Sequence, residues 1–170
     1  MLCIIRNATM DDAKSVLENT KIIREETDFL LSYPDEINLS VEEKEKFLED
    51  KENSSCEIQI CAIVDDRIVG LAGISAVGSK DKVKHRAEFG ISIEKAYHGK
   101  GIGTALTQAC IQCAKTAGYR QLELEVVAEN TNAIALYKKF GFTEIGRNPR
   151  GFCSRYTGWQ ELISMLLVLY

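Results

Sequence analysis

Proline is nearly missing from this chain: Pro34 and Pro149 are the only two among 170 residues, and both lie between periodic segments. No proline-rich, glycine/serine-rich or repeated stretch marks a linker, so the sequence reads as continuous. Long apolar runs are missing as well. The longest near the C-terminus, residues 162–170, is interrupted by Ser164 and reaches about half the length that a membrane-spanning helix needs. It is expected to be a buried strand, and no membrane partner is expected. The N-terminal residues Met1 to Arg6 lack the basic stretch, apolar core and small-residue cleavage site of a secretory leader, which points to the cytoplasm. Basic excess is lacking too. The formal charge is −4 with acids and bases interspersed, so nothing matches the cationic stripe that a nucleic-acid backbone requires.

What is present suits one globular domain over residues 1–170. Hydrophobic residues make up 45% and charged residues 27%, ordinary values for a chain with a single core. Six cysteines (Cys3, Cys56, Cys61, Cys110, Cys113 and Cys153) fall mostly within apolar patterns, where a free thiol behaves as a small hydrophobe. Cys110 and Cys113 form a C-x-x-C, but it lies in mid-helix and no second pair follows at ligand spacing. No metal site is expected, and no cysteine has the surroundings of a nucleophile.

The pattern opens with a strand over residues 2–6, then Thr9 as a helix N-cap before Ala13, Val16, Leu17 and Thr20 at helical spacing. Ser40 and Glu43 have capping-box spacing and start a charged helix over 41–51. Residues 57–64 and 68–76, joined by Asp65-Asp66-Arg67, read as a hairpin, and 85–93 as the next strand. In that strand Ala87, Phe89, Ile91 and Ile93 alternate with Glu88, Gly90, Ser92 and Glu94, giving one core face and one bare face. A helix follows from Ile102, with Gly118 as its stop, then a strand over 121–127, a short helix carrying Ala133, Leu136, Tyr137 and Phe140, and strands over 143–148 and 162–168. Antiparallel hairpins plus one strand-helix-strand unit give an α+β fold with a mixed, mostly antiparallel central sheet flanked by helices.

The chemistry gathers at residues 98–104. A glycine-rich turn entering a helix exposes amides with no intrahelical partner, aligned with the helix dipole, and an anion suits that place. Glycines at 99, 101 and 103 let a phosphate approach where a Cβ would collide, so amides from His98 to Thr104 can wrap a pyrophosphate, with Lys100 adding a positive charge. A Rossmann fingerprint is disfavoured because Thr104 stands at its third glycine and residues 94–97 separate strand from turn; a Walker loop lacks its Gly-Lys-Ser/Thr.

Residues 85–142 resemble the acetyl-CoA-binding core of the GNAT N-acetyltransferase superfamily. Its hallmark Gln/Arg-x-x-Gly-x-Gly/Ala is met by His98-Gly-Lys-Gly101-Ile-Gly103, and a second motif by Asn130-Thr-Asn-Ala133-Ile-Ala-Leu-Tyr137-Lys-Lys-Phe-Gly141-Phe142. The element order, β-α-α-β-β-β-α-β-α-β-β, extends the likeness more loosely over most of the chain. His98 departs from the usual Gln or Arg, a change of small consequence if only its amide meets phosphate; otherwise it is an exposed loop histidine.

The resemblance implies an acetyl-CoA-dependent N-acetyltransferase acting by direct transfer on the primary amine of a small molecule, amino acid or peptide N-terminus. An acyl-CoA-binding sensor without turnover is the alternative, and family habit allows a homodimer. It further implies that Ile91, Ser92 and Ile93 offer backbone groups to the pantetheine arm, that residues 98–104 (Gly99, Lys100, Gly101, Ile102, Gly103 and Thr104 after His98) hold the pyrophosphate, and that Asn130 and Ala133 adjoin the cofactor. Asn130 reads equally as an Asx cap of the following helix. Tyr137 becomes the candidate acid beside the coenzyme A sulfur, against simple packing in the core. Glu88, on the bare strand face, is the candidate base for the amine, against a solvated or salt-bridged glutamate. Glu25, Glu26, Asp28, Asp35 and Glu36, with Phe29 and Tyr33, occupy the variable acceptor side; they either attract cationic amines or form solvated surface.

Overall fold

Two adjacent aspartates set the first hairpin. Asp65 and Asp66 both adopt positive φ (49° and 60°), the pair of left-handed conformations that a tight two-residue turn needs. The computed structural model describes all 170 residues. The strands are β1 (Ile4–Asn7), β2 (Ile58–Val64), β3 (Arg67–Ala76), β4 (Arg86–Ile93), β5 (Gln121–Val127), β6 (Thr143–Ser154) and β7 (Gly158–Val168). The helices are α1 (Ala13–Glu26), α2 (Val41–Glu52), α3 (Ile102–Thr116) and α4 (Thr131–Lys139). All strands join one sheet in the order β1-β2-β3-β4-β5-β7-β6. Every neighbouring pair is antiparallel except β4 and β5, which run parallel. The fold is α+β with a mixed sheet between helices.

Each face of the sheet carries its own core. Leu106, Cys110 and Ala114 of α3, with Tyr137 of α4, pack on Val69, Ala87, Phe89 and Leu122. On the opposite face Ala13, Val16 and Leu48 of α1 and α2 pack on Cys61, Ile68 and Leu71. Strict alternation would send Ile68 and Leu71 to different faces. A bulge resolves this: Ala62 pairs with Gly70 and Ile63 with Ile68, so Val69 is the extra residue and changes the phase of β3.

Three elements depart from the sequence reading by more than one residue. The first strand is Ile4–Asn7, with Leu2 exposed. Thr9 precedes a 3-10 turn (Met10–Asp12) rather than α1 itself; its amide donates to Asp12 Oδ2 at 2.8 Å, and Arg6 grips the same carboxylate with two bonds of 2.7 and 2.9 Å. The last hairpin is longer than its apolar pattern, because β6 is the outermost strand. Pro149 costs no ladder bond on an exposed edge, and a bulge between Asn148 and Phe152 absorbs it. Gly151 is required there, since a Cβ would lie 2.4 Å from Leu162 Cγ. The capping box of α2 forms as expected, with Glu43 N–H donating to Ser40 Oγ and Ser40 N–H to Glu43 Oε2.

Candidate active site

The parallel pair β4 and β5 parts after three register positions, Arg86 with Gln121, Ala87 with Leu122 and Glu88 with Glu123. The remaining half of β4 has lost its neighbour on that side. Which backbone groups face the gap follows from the ladder on the other side. Val77 N–H donates to Arg86 O, and Glu94 N–H donates to Val69 O, so the even-numbered residues of β4 turn their groups to β3. His85 O, by contrast, accepts from Arg120 N–H. Ile91 and Ile93 therefore present their amides and carbonyls to the gap, whereas Ser92 is paired across to Leu71. Of the three residues taken together from the sequence, Ile91 has both groups free and Ile93 its amide, the Ile93 carbonyl lying 2.8 Å from His98 Nε2.

The turn at the end of β4 is built for close approach. Gly99 and Gly101 have φ of 72° and 83°, conformations that L side chains rarely adopt, and a Cβ at either would meet open space. The first helical bond of α3 is Ala105 N–H to Gly101 O. The amides of Gly99, Lys100, Gly101, Ile102, Gly103 and Thr104 make no hydrogen bond to any protein group. Such a run of bare amides at a helix start is an anion cradle. Lys100 leans back over the Tyr97 ring at 5.0 Å, and Lys139, at the end of α4, donates to Thr104 Oγ1 at 3.4 Å. Both cations border the turn. Gly103 is packed rather than open: its Cβ position lies 3.2 Å from Leu136 and 3.4 Å from Ile93, which draws α3 against α4.

Because β4 and β5 are parallel, the connections leading to α3 and α4 leave from the same end of the sheet, beside the gap. Asn130 caps α4, its Oδ1 accepting from Ala133 N–H at 3.4 Å, while its side-chain NH₂ has no protein partner. The Asx-cap reading holds, and a donor is left over. Tyr137 is 7% exposed, edge-on to Phe89 with ring centres 6.1 Å apart and 5.8 Å from Phe142. Burial pushes its phenol up to about 12. The hydroxyl has no hydrogen-bond partner in the chain, yet it is not sealed from solvent. Packing and an available donor coexist in this residue. Glu88 stands at the vertex where the strands part, exposed and unbonded, while its neighbour Glu123 is engaged by Arg86 and Gln121.

The acidic segment after α1 forms a strap. Glu26 accepts from Lys95 N–H at the end of β4 (2.7 Å), and Asp28 accepts from Ser154 Oγ and, through its carbonyl, from Gln160 of the β6–β7 hairpin. Asp35 holds Arg155 at 2.8 and 3.0 Å, and the Arg155 amide donates to Tyr33 Oη. Most of these carboxylates have structural partners, which neither sequence reading anticipated. Beneath the strap lies a recess of about 330 Å³ lined by residues of the segment 24–34 and by Tyr156, whose ring meets Tyr33 edge-on.

Residues 22–142 match the family described as Acetyltransferase (GNAT) family. The chain belongs to the GNAT acetyltransferase family. A GNAT-family acetyltransferase from Streptococcus pneumoniae superposes with a TM-score of 0.94 at 30% identity, over 99% of this chain and 100% of that one. A Salmonella typhimurium structure solved with its cofactor acetyl-CoA shares the fold, with a TM-score of 0.85 at 20% identity over 99% of this chain and 94% of that one. Among curated proteins, the L-amino acid N-acetyltransferase AaaT of Escherichia coli is 33% identical over 85 residues, 49% of this chain and 52% of its own length. The matched segment thus spans about half of that relative, and 23% of a Mycobacterium leprae relative.

One part of this GNAT site escaped the sequence. Glu94, read as the polar end of an amphipathic strand, is 4% exposed and binds Arg67 at 2.8 and 2.7 Å and Asn19 Nδ2 at 2.8 Å. The carboxylate holds Arg67 firmly protonated and ties α1 and β3 to the residue from which the glycine turn departs. Local sequence carries no such signal, since the partners are 27 and 75 positions away. Replacing Glu94 by Leu is expected to lower stability by about 2 kcal/mol, below the usual loss for a broken buried pair because Arg67 is half-exposed and can hydrate. A melting point within a degree of the parent would show that the pair stabilises nothing.

Two of the thiols are deeply packed. Burial pushes Cys110 up to about 12 and Cys61 to about 11, so neither yields a thiolate near neutral pH. Cys3 and Cys113 are part-buried, and only Cys56 and Cys153 are exposed.

Proposed function

We propose that this chain is an acetyl-CoA-dependent N-acetyltransferase that passes the acetyl group directly to a primary amine. The observation that carries the reading is the row of unpaired amides from Gly99 to Thr104, set beside the free edge of Ile91 and the free amide of Ile93. The residues fit the cosubstrate: an open glycine turn suits a pyrophosphate, and an unpaired strand edge suits an extended amide-bearing arm added like a further strand. Its fold-mate from Salmonella, which holds acetyl-CoA, and the amino acid acetyltransferase from E. coli point the same way. Ser92 and Ala133 remain neighbours of the arm in this reading, and Asn130 lends it the free NH₂. No helix is long and apolar enough to cross a membrane. The proposed compartment is the cytoplasm, supported by six unpaired thiols.

When bound, acetyl-CoA supplies an activated acetyl thioester. Tyr137 offers the sulfur a proton donor at Oη. With the phenol near 12 and a free thiol near 8.5, complete transfer would cost about 5 kcal/mol unless the buried sulfur is raised too. A hydrogen bond held to the developing thiolate is the cheaper service. On the amine side, a group with a pKa near 10.4 is neutral only about once in a few thousand at pH 7, a handicap of ~5 kcal/mol. Glu88, free at the vertex, takes that proton directly or through water. The acceptor approaches through the recess under the strap, whose one carboxylate without a bonded partner is Glu25.

Thermal stabilisation by acetyl-CoA but not by NAD, with thiol release on adding amines, tests the reading. Binding without thiol release from any amine, amino acid or peptide would leave a sensor; stabilisation by NAD alone would overturn the assignment. Replacing Glu88 by Gln is expected to lower kcat/KM about 10²-fold at neutral pH, with the deficit shrinking as pH rises toward the amine's own pKa. A deficit independent of pH would remove Glu88 as the base.

A further inference from the structure

The path from β4 into the glycine turn is bonded at every amide but that of Ala96 until His98. Glu94 N–H donates to Val69 O, Lys95 N–H to Glu26, Tyr97 N–H to Glu94 O and His98 N–H to Lys95 O. From Gly99 to Thr104 no amide is held, and Gly99 and Gly101 have positive φ. The last tether is a side chain. His98 Nε2 lies 2.8 Å from Ile93 O. A carbonyl can only accept, so Nε2 carries the proton and the ring donates.

Ile93 O is the carbonyl at the end of β4 that faces the gap, where β5 has already left the ladder. Without the imidazole it would have no partner in the chain and would be left to solvent.

We propose that His98 is a positioning residue: its imidazole closes the strand end onto the turn, so that the amides of Gly99 to Thr104 are aligned before any phosphate arrives. The ring does this whether neutral or charged, because both forms keep Nε2–H. It follows that the Ile93 carbonyl is already taken, and the arm of a bound cosubstrate is left with both groups of Ile91 and the amide of Ile93. The side chain acts on the backbone rather than on phosphate, which distinguishes it from a cationic ligand. This inference rests on the pyrophosphate reading of the turn.

The test compares His98→Gln, which keeps a donor without a ring or charge, with His98→Leu, which keeps neither, using calorimetric binding of coenzyme A. The Leu variant is expected to bind about tenfold more weakly and the Gln variant within about twofold of the parent, the scale of one hydrogen bond. Equal binding by all three, or equal loss in both variants, overturns the proposal. A second readout needs no cosubstrate: ¹⁵N spectra of the histidines in the free protein, with only His85 and His98 to assign, should show His98 fixed as the Nε2–H tautomer at alkaline pH. Rapid averaging between tautomers overturns it. If the parent itself binds no coenzyme A, the pyrophosphate reading fails, while the spectrum still decides whether the ring holds the carbonyl.

Discussion

Tyr137→Phe should lower kcat about 10²-fold, leave the Kd for coenzyme A unchanged and leave the protein at least as stable as the parent. All three follow from one geometry. The ring is fixed by Phe89 and Phe142, and Phe preserves both contacts. The hydroxyl has no protein partner, so its removal breaks no hydrogen bond, and taking a poorly solvated polar group out of a buried place is neutral or mildly stabilising. Under the proposed mechanism only the departing sulfur loses a donor. A pH signature accompanies the loss. Burial raises the phenol to about 12, so the donor form persists below that value, and the parent should show no alkaline fall assignable to Tyr137 across the usual assay range. Turnover retained by the Phe variant would reduce Tyr137 to a packing residue. A fall in stability with activity would mean that the hydroxyl has a partner in solution.

Gly101→Val should reduce coenzyme A affinity by about 10² or more, at a folding cost no greater than that of the same change at Gly118. The two glycines form a natural pair. Gly101 has φ of 83° at the start of α3 and Gly118 has φ of 87° just after its end, and a Cβ at either finds nothing within 4 Å. A β-branched residue is strained by ~1–2 kcal/mol at both. At Gly101 alone the new side chain stands before the unpaired amides, in the space that phosphate oxygens need. Matched losses of melting temperature with a binding defect confined to Gly101→Val are expected. Matched binding would mean that the turn is no anion cradle, whatever the family likeness suggests.

Much of this layout was readable in order along the chain. Helix α3 declared itself through Ile102, Leu106, Cys110 and Ala114 on one face with Gly118 behind them, and β5 through Leu122, Leu124 and Val126. These are periodic patterns, and periodicity reports burial on one face without knowledge of the partner. The glycine turn was legible for a related reason: backbone freedom is written in the residue type itself. The hairpin of β6 and β7 was only half legible. Residues 143–150 are exposed throughout, so an edge strand there shows no alternation, and Pro149 argues locally against a strand that its outer position permits.

The sequence by itself determined the alternation of β4 and the unpaired, glycine-rich start of α3, because each depends on residues within a short stretch, and its resemblance to a known family named the donor. Only the tertiary structure decided the rest. The parting of β4 from β5 after Glu88 leaves both groups of Ile91 and the amide of Ile93 facing a gap while Ser92 stays paired; a strap runs from Glu26 to Arg155; and Glu94 and His98 make bonds on the approach to the turn. Except for the imidazole's bond to Ile93, these arrangements join residues distant in the chain. Such contacts are set by the register of strands and the packing of helices, which composition and local spacing do not encode.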